Sequence, residues 1–163
     1  MKLAMTAMAA MVLLALGGAR GEPLRDPQRP APDVSAYVWE GACKDCHENL
    51  HEAWRNTKHA SAINRLSSSE RQQVCVGCHV TGADRLLEVD GKAANANVQC
   101  ESCHGPGRAH VEATKAGGPG KGNIVRKPSA ELCERCHNAK SPHFRGFFYD
   151  AMLGFAHRTK GRA

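Results

Sequence analysis

Eight cysteines fall into four pairs of one form. They are Cys43-Lys-Asp-Cys46-His47, Cys75-Val-Gly-Cys78-His79, Cys100-Glu-Ser-Cys103-His104 and Cys133-Glu-Arg-Cys136-His137. Each pair encloses two residues, each is followed at once by histidine, and no cysteine is left over. C-x-x-C-H is the attachment signal for c-type haem. Cysteines three apart lie on one face of a helical turn and can bond the two vinyl groups on one side of a porphyrin. The histidine that follows then sits under the iron as proximal ligand. Other uses of such pairs fit less well. Disulfides give no reason for a histidine after every pair. Zinc ribbons space their pairs about 15–20 residues apart, whereas these pairs begin 32, 25 and 33 residues apart. A thioredoxin-like dithiol needs one motif. The pattern therefore predicts four covalently bound haems, attached at Cys43, Cys46, Cys75, Cys78, Cys100, Cys103, Cys133 and Cys136, with His47, His79, His104 and His137 as proximal ligands.

Five histidines remain for the opposite faces of the irons: His51, His59, His110, His143 and His157. Methionine is the usual alternative and raises the potential, but only Met152 lies outside the N-terminal apolar run. The expectation is His/His ligation and low potentials. His51 shares a helical face with His47 and cannot cross the same haem; it is expected to be solvated or to bond a propionate. His59 lies roughly three turns beyond His47, ~18 Å if helical throughout, and can serve a neighbouring haem. His110 follows a Gly-Pro-Gly turn that lets the chain reverse. His157 ends a segment with apolar residues at helical spacing. His143, after Ser141-Pro142 at a helix start, is a weak candidate. Three distal candidates, His59, His110 and His157, for four haems leave one iron five-coordinate.

The elements that must position these groups are short. Removing a leader leaves ~142 residues, enough for one domain. Aromatics are 5% of the chain, so the polypeptide is a poor core by itself. Such a chain must use the haems as interior, and the apo-chain is expected to be largely unfolded. Residues 1–21 read as a secretory signal peptide, with Lys2, an apolar run from Leu3 to Leu16 and small residues at 17–19. The run is shorter than the ~20 residues that cross a bilayer, and no stable membrane span is expected. Residues 22–33 form a proline-rich tether, and 34–159 the haem domain. Helices are expected at 44–56, 58–66 and 143–156. A Ser67-x-x-Glu70 capping box leads to the second motif. Asp90-Gly91 marks a turn, with a short hairpin around it. Residues 116–123 form a flexible loop, and Ser129 caps the helix of the fourth motif. The fold class is mostly α with extensive irregular loops and little β, a multihaem cytochrome c fold wrapped around four haems.

Formal charge is +6, about +4 without the leader. Four ferric haems with their propionates contribute about −4, so the scattered basic residues pair with propionates and solvent. No aromatic platform accompanies them, and nucleic acid is not an expected partner.

The stretches "CKDCHENLHEAWRNTKHA", "CVGCHVTG", "VQCESCHGPGRAH" and "LCERCHN…FAH" resemble the tetrahaem cytochrome c family of the cytochrome c-554 type, whose type member accepts electrons from hydroxylamine oxidoreductase in ammonia oxidisers. The resemblance implies that His59 pairs with His104, His110 with His47 and His157 with His137, and that the haem on His79 is five-coordinate. It implies an exported electron carrier in nitrogen metabolism. The expected partners are redox proteins: a multihaem oxidoreductase or a quinol-linked cytochrome. An open iron at His79 also allows a second class, reduction of nitric oxide or nitrite. A third is an electron-transfer subunit of a larger multihaem enzyme.

Overall fold

Short helices and tight turns follow from a sequence in which glycine, proline or a haem motif interrupts every potential helix. A computed structural model describes residues 33–72, 74–89, 91–120 and 123–157. The leader, most of the tether, Asp90 and part of the 116–123 loop lie outside the described residues. Six helices are present among those described: α1 (Trp39–Lys44), α2 (Glu48–Arg55), α3 (Cys100–His104), α4 (Arg108–Lys115), α5 (Ala130–Glu134) and α6 (Tyr149–Ala156). Three 3₁₀ segments, His59–Arg65, Glu70–Gln72 and Val74–Cys78, join α2 to a two-stranded antiparallel sheet. Its strands, β1 (Glu88–Val89) and β2 (Lys92–Ala93), pair Glu88 with Ala93 and Val89 with Lys92. The structure is mostly helical, with little β. None of the helices among the described residues is long and apolar enough to cross a membrane.

Three expected helices are shorter than their sequence pattern suggests. The helix expected over 44–56 breaks at the motif, because His47 leaves helical geometry (φ −124°, ψ 45°) and starts α2 anew. The 58–66 helix is a 3₁₀ segment kinked at Ser61. The last helix begins at Tyr149 rather than 143; Gly146, at φ +97°, sits upstream in a conformation that no helix continues. The capping signals are in place. Ser67 N–H donates to Glu70 Oε2 at 2.8 Å, and Leu132 N–H to Ser129 Oγ at 3.4 Å.

The apolar core is small. Ile63, Leu66, Val76 and Val80 pack together, with Cys75, Leu86 and Ala96 against them. Buried polar groups supply much of the remaining cohesion. Asn95 and Thr81 are fully buried. Asn95 Nδ2 donates to Thr81 O and Arg85 O, and its Oδ1 accepts from Leu87 N–H. Thr81 Oγ1 donates to Asn97 O at 2.8 Å and accepts from Gln99 N–H at 2.8 Å. Gln99 Nε2 in turn donates to Ala94 O and Ala96 O. Trp54 Nε1 donates to Val98 O at 2.9 Å. This lattice fixes the approach of the chain to the third motif. Each bond contributes only about 1 kcal/mol net, but losing one partner of a buried pair costs more.

Candidate haem-binding centres

The first, third and fourth motifs each occupy a helical turn, so both thiols leave the same side of the backbone. His47 N–H donates to Cys43 O at 2.9 Å and His137 N–H to Cys133 O at 3.0 Å. The third motif is α3 itself, ended by Gly105 at φ +80°. That positive φ is the glycine-dependent reversal that starts α4 and turns the chain back. The second motif differs, lying in the 3₁₀ segment Val74–Cys78.

Six histidine rings face one another in three pairs. His47 and His110 lie 6.2 Å apart between centroids, nearly parallel at 18°. His59 and His137 are 6.0 Å apart, and His104 and His157 5.8 Å. Two metal–nitrogen bonds of ~2.0 Å plus the ring radii would set opposed imidazoles about 6 Å apart. The spacing of each pair therefore fits one iron between two rings. Each pair joins one motif histidine to one of the three distal candidates. The pairing differs from the family-implied one at two sites. His59 faces His137 rather than His104, and His157 faces His104 rather than His137. Which motif a distant histidine reaches is set by how the C-terminal segment folds back, and no local pattern encodes that.

The rings are also held in the tautomer that a metal needs. His79 Nδ1 lies 2.6 Å from Ala62 O, His104 Nδ1 2.6 Å from Val125 O, and His110 Nδ1 3.0 Å from Gly120 O. A carbonyl only accepts, so each Nδ1 carries the proton and each Nε2 keeps its lone pair. Gly120 sits at φ +59°, and a side chain there would collide with Thr114 and His110. Burial, and then the facing His137, holds His59 below the ordinary imidazole range. Burial, then His104, does the same to His157. Both shifts favour the neutral imidazole, the form that ligates. Among the described residues no ring pair includes His79, and no three metal-binding side chains converge on one point.

Thiols of different motifs approach one another. Interaction with Cys100, then burial, pushes Cys43 up, while Cys100 is lowered by the same contact. Burial, then Cys78, pushes Cys136 up to about 12. Burial, then Cys133, pushes Cys103 up to about 11. These contacts arrange the motifs in the spatial order first, third, fourth, second.

Two features were not legible in the sequence. Glu101, inside the third motif, is 3% exposed. It accepts three backbone N–H groups. His51 is neither solvated nor free to bond a propionate: it is buried, hydrogen-bonded to Glu40 and tilted against Trp54 at 5.4 Å. Both interactions bridge separate elements, so periodicity along the chain carries no trace of them. His143 is exposed and adds to the lowering of the Glu70 carboxyl, after the Ser67 hydrogen bonds.

Repeated C-x-x-C-H turns set beside opposed, carbonyl-anchored imidazoles form the residue set that would hold covalently bound haem. Residues 42–105, spanning the first three motifs, match the family model described as cytochrome c554 and c-prime. Cytochrome c-554 of Nitrosomonas europaea is 32% identical over 87 residues, 40% of this chain and 37% of that protein. The matched part is thus just over a third of the relative's length. The reduced state of cytochrome c554 from Nitrosomonas europaea aligns with a TM-score of 0.46 at 23% identity, covering 73% of this chain and 77% of that one.

Proposed function

We propose that the chain is an exported, periplasmic tetrahaem cytochrome that transfers electrons between redox proteins. In this reading residues 1–21 are a leader, 22–33 a tether and 34–159 the haem domain. The eight cysteines form the thioethers. His47, His79, His104 and His137 are proximal ligands, and His59, His110 and His157 distal ones. Bound there, haem iron supplies one-electron redox chemistry. The chain's part would be to hold imidazoles in fixed tautomers and pack the motifs in a row. The observation that carries the reading is the three imidazole pairs at 5.8–6.2 Å, each containing one motif histidine. His/His ligation keeps the potentials low. The partners are redox proteins, a multihaem oxidoreductase or a quinol-linked cytochrome, with nitrogen metabolism the setting that the family suggests.

A reductive titration of the purified chain tests this. The expected result is uptake of four electrons per chain, all at potentials below the His/Met range. A single high-potential wave would contradict it.

The absence of a ring facing His79 among the described residues favours a second reading, in which that iron is five-coordinate and reduces nitric oxide or nitrite. Electron paramagnetic resonance of the oxidised protein separates the two. A high-spin ferric signal that disappears on adding nitric oxide is the outcome this second reading requires; four low-spin haems remove it.

A further inference from the structure

Glu101 stands between Cys100 and Cys103 of the third motif, yet its carboxylate serves the first. Oε1 accepts from Val38 N–H at 3.0 Å and from Gly107 N–H at 2.7 Å, and Oε2 accepts from Trp39 N–H at 2.8 Å. Val38 and Trp39 open α1, which carries Cys43 and leads to His47. Gly107 is the N-cap of α4, which carries His110. The opening N–H groups of a helix have no partner within it, and a carboxylate offers enough acceptor sites to satisfy several. One side chain thus ties together the segment bearing the proximal histidine and the segment bearing the facing one. Trp39 is held at φ +62°, a left-handed conformation rare for a bulky residue. Such strain persists only where surrounding contacts over-determine it. Gly107 has no room for a side chain free of Val38 and Glu101, so the three groups are closely fitted. The neighbouring Gln99 adds a second tie, accepting from Glu40 N–H at 3.0 Å. Glu101 also lies close enough to Cys43 and Cys100 to act on both sulfurs.

We infer that Glu101 is the positioning residue of the first haem site, clamping its two ligand-bearing segments onto the third motif and lowering the potentials of both centres by its negative charge. The inference rests on the haem reading above. It gives the third motif a function beyond binding its own haem: it sets the geometry of the first. The negative sign follows from simple electrostatics, since a carboxylate near an iron favours the more positively charged ferric state.

The test uses the full exported chain in its haem-loaded form. Glu101→Gln keeps size and an acceptor but removes the charge; Glu101→Ala removes the clamp; Glu112→Gln, at an exposed carboxylate on α4, is the control. Haem count, low-spin resonance signals and reduction potentials are measured for each. Glu101→Gln is expected to keep every haem and to raise two potentials while leaving the others unmoved. Glu101→Ala is expected, in addition, to alter or lose one low-spin signal. Glu112→Gln should match the parent. Unchanged potentials in haem-replete Glu101→Gln, or an equal shift of every centre, would overturn the inference. Amide exchange in the parent protein gives a measurement independent of variant folding. The Val38, Trp39 and Gly107 amides should be strongly protected, and rapid exchange there would also overturn it. A parent chain lacking opposed-imidazole low-spin signals sinks the haem reading itself, an outcome distinct from either.

Discussion

The stretch from Tyr37 to Lys115 and the stretch from Arg126 to His157 both carry C-x-x-C-H motifs, but they are held by different means. In the first, hydrogen bonds cross long sequence distances: Trp54 to Val98, Glu101 to Val38 and Trp39, Asn95 to Thr81 and Arg85. Buried side chains, both apolar and polar, lie throughout it. In the second, Pro128 alone is buried among the described residues. Its bonds there are mostly between near neighbours, apart from Tyr149 Oη donating to Pro128 O. Phe148 is 71% exposed, and Met152 and Phe155 lie on the same side of α6. What connects this stretch to the rest is largely the facing of His137 on His59 and of His157 on His104, with Phe147 stacked on His137 at 4.9 Å. The contrast teaches that one region is organised by its own polypeptide while the other has little packing of its own; on the proposed haem reading, the group its histidines would hold organises it, with ligand binding and folding a single event there.

The sharpest way to break this contrast is to remove the fourth attachment site. Replacing Cys133 and Cys136 together by alanine is expected to cost one haem and to open 126–157 to proteases, while 37–115 stays resistant. Equal resistance in both regions would end the distinction. Next in size is Asn95→Ala. It strands three backbone groups in the polypeptide-organised half and is expected to cost about 3 kcal/mol in denaturant unfolding. His51→Ala should cost about 2 kcal/mol, since it leaves Glu40 without its partner and a gap against Trp54; a silent result would restore the solvated reading. The smallest effect is expected at Ser129→Ala, at most about 1 kcal/mol, because α5 is one exposed turn and its order comes from elsewhere. A loss larger than that of Asn95→Ala would invert the comparison.

Legibility in the sequence follows the same division between local and distant causes. The motifs, the Ser67–Glu70 box, the Ser129 cap and the Gly105 reversal act within a few residues, and local spacing was enough to find them. The break of the first helix at His47 was not visible, because helix periodicity continues across it to Trp54. The exchange of partners between His59 and His157 was not visible either, since a ligand's destination depends on the fold of a segment with little core of its own. Glu101 was missed and His51 misread for one reason: each side chain acts on a separate element, where periodicity is silent.

The central claim is that four covalently attached haems form the interior that this sparse polypeptide lacks. The pyridine haemochrome spectrum of the purified chain, read together with its intact mass, tests this most directly. The account predicts a mass increment of four haems and a spectrum in which every haem is thioether-linked. A colourless chain, or one whose cysteines are bridged or hold zinc, would contradict it.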